Sequence, residues 1–349
     1  MPTRLPPPTP TQPAAAGRGR AVAAGVLVLA LAGCGGGGGG GGDNPAPTDP
    51  ALAARIQAAQ TTANSASNAC RSVQPFYWEI GNAAGAQASG ATDAAGGNPV
   101  YTANTLMSIA SASKWLYAAY VVEKRGGAPT ATDRRYLAFQ SGYVSFDAVG
   151  SCGFGDTVDS CLANGDNGRY TAASDGKFHY DGGHMQKHAS LEGLGALTSA
   201  ALADEMRRLL GTDIGFTFSQ PQPAGGVVST AADYARFLRK VLGGSLRMGG
   251  LLGSGAVCTN PLTCPQAVAT PTPLTENWSY TLGHWVDTDR NAGDGAFSST
   301  GAFGFHPWID AGKTSYGVLA RRSSTPGTGF DSAACGRLLR KAWATGVAQ

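Results

Sequence analysis

Ser111 and Lys114 stand three residues apart in SIASASKWLY, residues 108–117, where an apolar run begins. A serine hydroxyl is a weak nucleophile until a base takes its proton. Lysine serves as that base when burial lowers its pKa. Three apart on a helix, the two side chains share a face. A serine at a helix start also lies beside exposed backbone N–H groups, which favour developing negative charge. The spacing alone is no signature: a chain of this length shows about one Ser-x-x-Lys by chance. A lysine on the solvent face of an amphipathic helix would do no chemistry, so the pair needs partners.

Further stretches follow it in order. They are QSGYVSF (140–146), GKFHYDGGHMQ (176–186), AGGVVSTAADYARFLRKVLGG (224–244), YTLGHWV (280–286) and SSTGAFGFHPWID (298–310). Together with IASASKWL they resemble the motifs of the penicillin-binding-protein and class C β-lactamase superfamily of serine hydrolases, over roughly residues 51–345. The resemblance implies a sheet lobe and an all-helical lobe. It makes Ser111 the nucleophile that forms an acyl-enzyme and Lys114 the group that shares its proton. Tyr180 becomes the second proton-transfer group; its phenol, ordinarily near pKa 10, would need a cation such as Lys114 close by. The backbone N–H groups of Ser111 and Ala302 would form the oxyanion hole. Gly182, Ser299, Thr300 and Gly301 would meet substrate.

Two of those positions depart from the family. Gly182 stands where Asn is usual after Tyr-x, so an amide is missing. Ser299-Thr300-Gly301 stands where Lys-Thr-Gly or His-x-Gly is usual, so a cation that would attract a substrate carboxylate is missing. Penicillins and peptides ending in D-Ala carry that carboxylate. The expected activity is therefore hydrolysis of an ester or amide lacking it, with no cofactor. The alternatives are a β-lactamase or D-Ala-D-Ala carboxypeptidase acting on β-lactams or cell-wall peptides, and a catalytically weakened binding protein of the same fold.

Other residues compete for attention. Ser174-Asp175-Gly176 imitates the Ser-Asp-Asn motif of class A β-lactamases, but the Phe-x-Tyr context favours Tyr180. Lys313-Thr314 imitates Lys-Thr-Gly on a later strand and reads as structural. His184 and His188 have a zinc-compatible helical spacing. No glutamate lies between them and no third ligand is evident, so they read as packing or surface residues. Trp278, Tyr280, Trp285 and Trp308 read as core, with one or two at the cleft.

The elements that must position these groups follow from periodicity. Helices are expected over 50–70, 113–127, 199–211, 229–244 and 330–346, a strand with a Gly-rich turn over 75–90, and strands over 278–287, 303–310 and 314–322. Residues 128–180 read as loops and short helices. This order predicts an α/β (α+β) fold: an antiparallel sheet flanked by N- and C-terminal helices, with an all-helical lobe beside it. The sheet lobe would comprise about 51–105 and 270–349, and the helical lobe about 106–269.

Ahead of this 51–349 domain, residues 1–33 carry Arg4, Arg18 and Arg20 and no acid, and lead into AVAAGVLVLALAGC (21–34). That apolar run is too short to span a bilayer and fits a secretory signal. LAGC at 31–34 resembles the bacterial lipobox, which would make Cys34 the lipidated residue. Residues 34–50 are Gly-rich and read as a flexible tether. The expected location is the bacterial cell envelope, with a lipid anchor and the domain facing the periplasm. Removing residues 1–33 leaves 23 basic against 23 acidic residues, with no basic block. Membrane contact through the lipid and a small-molecule or peptide-like acyl substrate are the expected partners; nucleic acid is not.

Six cysteines remain beyond Cys34, an even number that suits an exported protein. Close spacing favours Cys152–Cys161 and Cys258–Cys264, which leaves Cys70 with Cys335.

Overall fold

The computed structural model describes residues 49–92, 100–150, 152–153 and 155–349. The expected signal, Cys34 and all but the last two residues of the tether lie outside the described residues. Asp49 caps the first helix, α1 (Pro50–Ala63), by accepting from the Ala51 N–H, and Pro50 opens it. A hairpin of β1 (Phe76–Asn82) and β2 (Gly85–Thr92) follows. The chain then builds a second lobe. It contains β3 (Met107–Ser108), α2 (Ser113–Lys124), α3 (Ala131–Leu137), β4 (Ser141–Tyr143), α4 (Val158–Ala163), β5 (Tyr170–Asp175) and β6 (Phe178–His179). It continues with α5 (Gly183–Ala189), α6 (Ser199–Leu210), β7 (Phe216–Phe218), β8 (Val227–Ser229) and α7 (Ala231–Leu242). The last stretch runs through β9 (Val257–Cys258), β10 (Ala267–Ala269), β11 (Ser279–Thr281), β12 (His284–Val286) and β13 (Phe297–Ser298). It ends with β14 (His306–Ile309), β15 (Tyr316–Ala320) and α8 (Gly329–Thr345).

Among the described residues, eight strands in the order β2-β1-β15-β14-β13-β12-β11-β9 make one antiparallel sheet. Alternation sorts its faces. Phe76, Trp78 and Ile80 of β1 join Trp308 and Leu319 under α1 and α8, where Ala59, Ala63, Leu339 and Trp343 close a core. The Cys70–Cys335 disulfide lies inside that core, and Cys152–Cys161 and Cys258–Cys264 are also paired. On the opposite face α7 packs against β1 and β15. Thr230 caps α7, accepting from the Asp233 N–H at 3.1 Å, and Gly243 ends it.

The fold class is the expected α/β arrangement. The lobe between the sheet segments is not wholly helical, however. It holds three small sheets, β3-β8-β7, β4-β5 and the parallel pair β6-β10, and β9 joins the main sheet from within that range. Strands of two or three residues carry too little alternation to be read from sequence. Among the described residues, no helix is long and apolar enough to cross a membrane.

Candidate active site

Ser111 occupies a single 3₁₀ turn, Ala110–Ala112, that feeds directly into α2. Ala110 adopts φ 45°, a conformation costly for a residue with a Cβ. The surroundings hold this turn from several sides. Ile109 N–H donates to the Val227 carbonyl at 3.1 Å, and the buried Ser113 hydroxyl donates to the Ala110 carbonyl at 2.6 Å. Tyr234 of α7 donates to the Ala112 carbonyl at 2.8 Å. From the sheet, Ser299 donates to the Ser111 carbonyl at 3.1 Å. A strained turn so pinned sits where the two lobes meet.

Two glycines permit that meeting. The two-residue turn between β11 and β12 has φ 39° at Leu282 and 74° at Gly283. A Cβ on Gly283 would lie 2.3 Å from the Lys114 carbonyl, so any side chain there would push the sheet off α2. A Cβ on Gly301 would lie 2.3 Å from the Ile109 carbonyl. The 301–302 backbone therefore runs alongside the Ser111 turn. Among the described residues, nothing accepts from the N–H of Ser111 or of Ala302.

Lys114 is buried, at 5% exposure, and its ammonium donates to the Ser111 hydroxyl at 2.9 Å and to the Ala224 carbonyl at 2.7 Å. Burial pulls its pKa down to about 7, against a smaller opposing pull from Asp181. Its amine lies 5.0 Å from the centre of the Tyr180 ring. Tyr180 follows β6, and its N–H donates to the Ala269 carbonyl at 3.0 Å. Its ring stacks on Trp285 with centroids 5.2 Å apart. Burial raises the phenol well above its ordinary value, while polar contact with Ser111 and Trp285 works the other way. The phenol is thus a neutral proton donor and acceptor at neutral pH, and Lys114 is the group poised to change charge there. Ser111 and Tyr180 both remain partly exposed.

The remaining candidates divide. Ser299 and Thr300 were expected to meet substrate, but both are buried and their hydroxyls are committed inward. Ser299 bonds the Ser111 carbonyl and approaches the Gly283 carbonyl at 3.4 Å; Thr300 pairs with His306 Nδ1 at 2.8 Å. At Gly182 the position of the missing amide faces Phe146, whose ring would lie 3.2 Å from a Cβ there. Ser174 lies 3.4 Å from His179 Nδ1, and Asp175 pairs with Arg135; neither contacts Ser111 or Lys114. Lys313 reaches the Gly249 carbonyl at 3.4 Å and lies over Phe297, a structural placement. Trp278, Tyr280, Trp285 and Trp308 are all buried, with Trp285 beneath the Tyr180 ring.

His184 and His188 lie on one buried face of α5, which sequence reading left unassigned. His184 pairs with the Ser141 hydroxyl at 2.6 Å and the His179 carbonyl at 2.9 Å. His188 does gather acidic neighbours, Asp133 and Glu192, in a cluster of metal-binding type. The Arg125 guanidinium already bonds both carboxylates, so the cluster has its cation. A surface cavity of about 390 Å³ lined by Arg134, Arg135, Gln140, Gly255 and Thr281 includes none of Ser111, Lys114 or Tyr180. Two contributors to the site escaped sequence reading, the Ala224 carbonyl and Asp181, whereas Trp285 is among the aromatics of which one or two were expected at the cleft. Of the two, Asp181 left a signal, as a carboxylate next to Tyr180.

A sheet lobe closed by terminal helices, a second lobe inserted into it and a Ser-x-x-Lys pair at their junction make this the β-lactamase and penicillin-binding-protein fold. Solved structures with this fold are similar to the chain over most of its length. Simvastatin synthase (LovD) from Aspergillus terreus matches with a TM-score of 0.56 and 14% identity, over 83% of this chain and 98% of that one. D-amino acid amidase from Ochrobactrum anthropi SV3 matches with a TM-score of 0.56 and 14% identity, over 82% and 96%. A protein provisionally designated a β-lactamase, from Bacteroides dorei DSM 17855, matches with a TM-score of 0.53 and 18% identity, over 76% and 93%. No protein-family model and no curated protein matches the chain.

Proposed function

We propose that this chain is a serine hydrolase that turns over an ester or amide by acylation and deacylation of Ser111. The carrying observation is the buried Lys114 amine, 2.9 Å from the Ser111 hydroxyl, with its pKa brought to about 7. In its neutral form Lys114 takes the hydroxyl proton as Ser111 attacks the substrate carbonyl. The N–H groups of Ser111 and Ala302 receive the oxyanion. Tyr180, neutral before and after each step, passes its proton to the leaving group and is reprotonated by the Lys114 ammonium; in deacylation it takes the water proton as it hands its own to the Lys114 amine, which gives it to the departing Ser111 oxygen. The fold is shared with an enzyme named as an amidase, which supports acyl chemistry at a carbonyl.

The substrate acyl group is taken to lack a carboxylate. Position 299 supplies no cation, and the hydroxyls of Ser299 and Thr300 are already engaged. Cys34 is proposed to carry the lipid that holds the domain at a bacterial membrane. The test is labelling with a fluorophosphonate and turnover of p-nitrophenyl acetate, with Ser111→Ala as control. Labelling and turnover that vanish in Ser111→Ala support the reading. A folded wild-type protein that neither labels nor turns over ester refutes it, and a stable penicillin adduct on Ser111 refutes the substrate class.

A further inference from the structure

Separate stretches of chain build the surface cavity of about 390 Å³ beside α3. They are α3 with the residues that follow it, Gly176 between β5 and β6, and the segment that carries Gly255 into β9 and on to β11. Two guanidiniums line it, and their commitments differ. Arg135 is exposed; its Nε donates to the Gln140 carbonyl at 3.3 Å and its Nη2 bonds the Asp175 carboxylate. Arg134 is half-buried, and among the described residues nothing accepts from its guanidinium. Its Nη1 lies 3.9 Å from where a Cβ on Gly255 would stand, which places the guanidinium at the cavity wall. Gly255 has φ 67°, a conformation suited to glycine, so no side chain covers the guanidinium from there. The methyl groups of Ala131 and Ala138 and the bare backbone of Gly176 make the rest of the wall small and largely apolar.

A half-enclosed guanidinium without a partner has lost hydration and gained no hydrogen bond in return. Its planar fork matches a carboxylate, which can accept two parallel N–H bonds from it. Charge narrows the choice further. Arg134 and Arg135 against the Asp175 carboxylate leave one net positive charge, which a monoanion neutralises. A dianion such as phosphate would bring its second charge towards Asp175. The apolar remainder of the wall suits a short hydrocarbon body rather than a sugar or a second charged group.

We propose that this cavity binds a small aliphatic carboxylate, its oxygens on Arg134 and its hydrocarbon part against Ala131 and Ala138. The site is separate from the Ser111 cleft, and the proposal does not rest on the serine hydrolase reading.

The test is titration of the full chain with sodium butyrate at low salt, followed by saturation-transfer NMR of the butyrate methyl group. Saturable binding is expected, displaced by propionate and not by n-butanol or inorganic phosphate. Arg134→Gln should weaken it by about tenfold or more. Asp175→Asn should tighten it several-fold, because Arg135 is then released and the competing acid is gone. A misfolded variant cannot mimic such a gain. Butyrate held beside Ser111 instead would bind Arg134→Gln as tightly as wild type, and that result overturns the proposal. So does an absence of saturable binding, or displacement by n-butanol or phosphate as ready as by propionate. Should Arg134→Gln fail to fold, Asp175→Asn decides alone, and unchanged or weaker binding overturns the proposal.

Discussion

The two ends of α2 hold two buried charge clusters with opposite designs. At its start, Lys114 has a hydroxyl and a carbonyl as partners and no acid in contact. Just past its end, Arg125 pairs with Asp133 and Glu192, and Asp133 also pairs with His188 at 3.0 Å. Burial alone would raise the Asp133 carboxyl, yet bonds from Arg125, Thr130 and His188 hold it well below the usual carboxylate range. Burial keeps His188 neutral, with the Tyr117 hydroxyl donating to Nδ1 and Nε2–H donating to Asp133. A fully compensated cluster locks its protonation states; an undercompensated one is left ready to change them. Proximity of titratable groups therefore does not mark a site, and the quality of their pairing does.

The sharpest way to break this contrast is to remove the proposed reactive pair. Ser111→Ala and Lys114→Met should each lower p-nitrophenyl acetate turnover by about a thousandfold or more. Lys114→Met should also stabilise the fold. A lysine whose folded-state pKa is near 7 against an ordinary 10.5 carries a burial penalty that is absent above pH 10.5, grows as pH falls towards 7, and is constant below. After allowance for the lost hydrogen bonds, a gain of about 2 kcal/mol at pH 7 that shrinks by pH 10 is expected, read from thermal melts at both pH values. A destabilised Lys114→Met would mean that the amine contributes to the fold and is not held there at a cost.

The other end of α2 should respond inversely. Asp133 is buried, and its carboxylate accepts from Arg125, His188 and the Thr130 N–H that starts α3. Asp133→Ala leaves Arg125 with Glu192 alone, strands His188 Nε2 and removes a cap, and should cost about 3 kcal/mol in urea unfolding. The kcat of the molecules that remain folded should hardly move. A large loss of kcat with unchanged stability would make this cluster part of the site.

How far the sequence carried this contrast depended on the range of the interaction. Ser111 and Lys114 are three residues apart, and one helix fixes their relation, so the pair was readable. The long helices, β1 and the β14/β15 hairpin were readable for the same reason, through periodicity and turn residues, whereas the small, polar residues of β2 read as a Gly-rich turn. The commitment of Ser299 and Thr300 to inward partners was not, because it depends on Ser111 and His306 arriving from other elements. His188 illustrates the same limit: its spacing from His184 suggested packing or zinc, while its true partners Tyr117 and Asp133 lie 71 and 55 residues away. Helix α5 was missed because Gly182 precedes it, Gly183 opens it and its polar residues face inward, which hides the amphipathic pattern.

A smaller effect follows from titration of Lys114. With its pKa near 7, the fraction of neutral amine falls tenfold for each pH unit on the acid side. The kcat/KM for p-nitrophenyl acetate should fall likewise below about pH 7 and level off above it. The wild-type profile measured from pH 5 to 9 tests this directly. An acid limb centred near pH 4 instead would point to a carboxylate as the titrating group and away from the amine.

The smallest expected change concerns the sheet's hold on the Ser111 turn. Ser299 joins β13 to the Ser111 carbonyl through one part-buried hydrogen bond. Ser299→Ala removes that donor and no charge, so its cost should be about 1 kcal/mol. The Ser111 turn stays fixed from the Ser113, Tyr234 and β8 sides, so the hydroxyl and the Lys114 amine should remain together. The loss should then fall on the relation between the turn and the 301–302 backbone, which the sheet carries. Ground-state binding does not depend on that alignment, whereas oxyanion stabilisation does. Ser299→Ala should therefore lower kcat several-fold with little change in KM. If KM rises while kcat holds, the Ser299 side chain meets substrate after all, and the inward bond seen here gives way when the cleft fills.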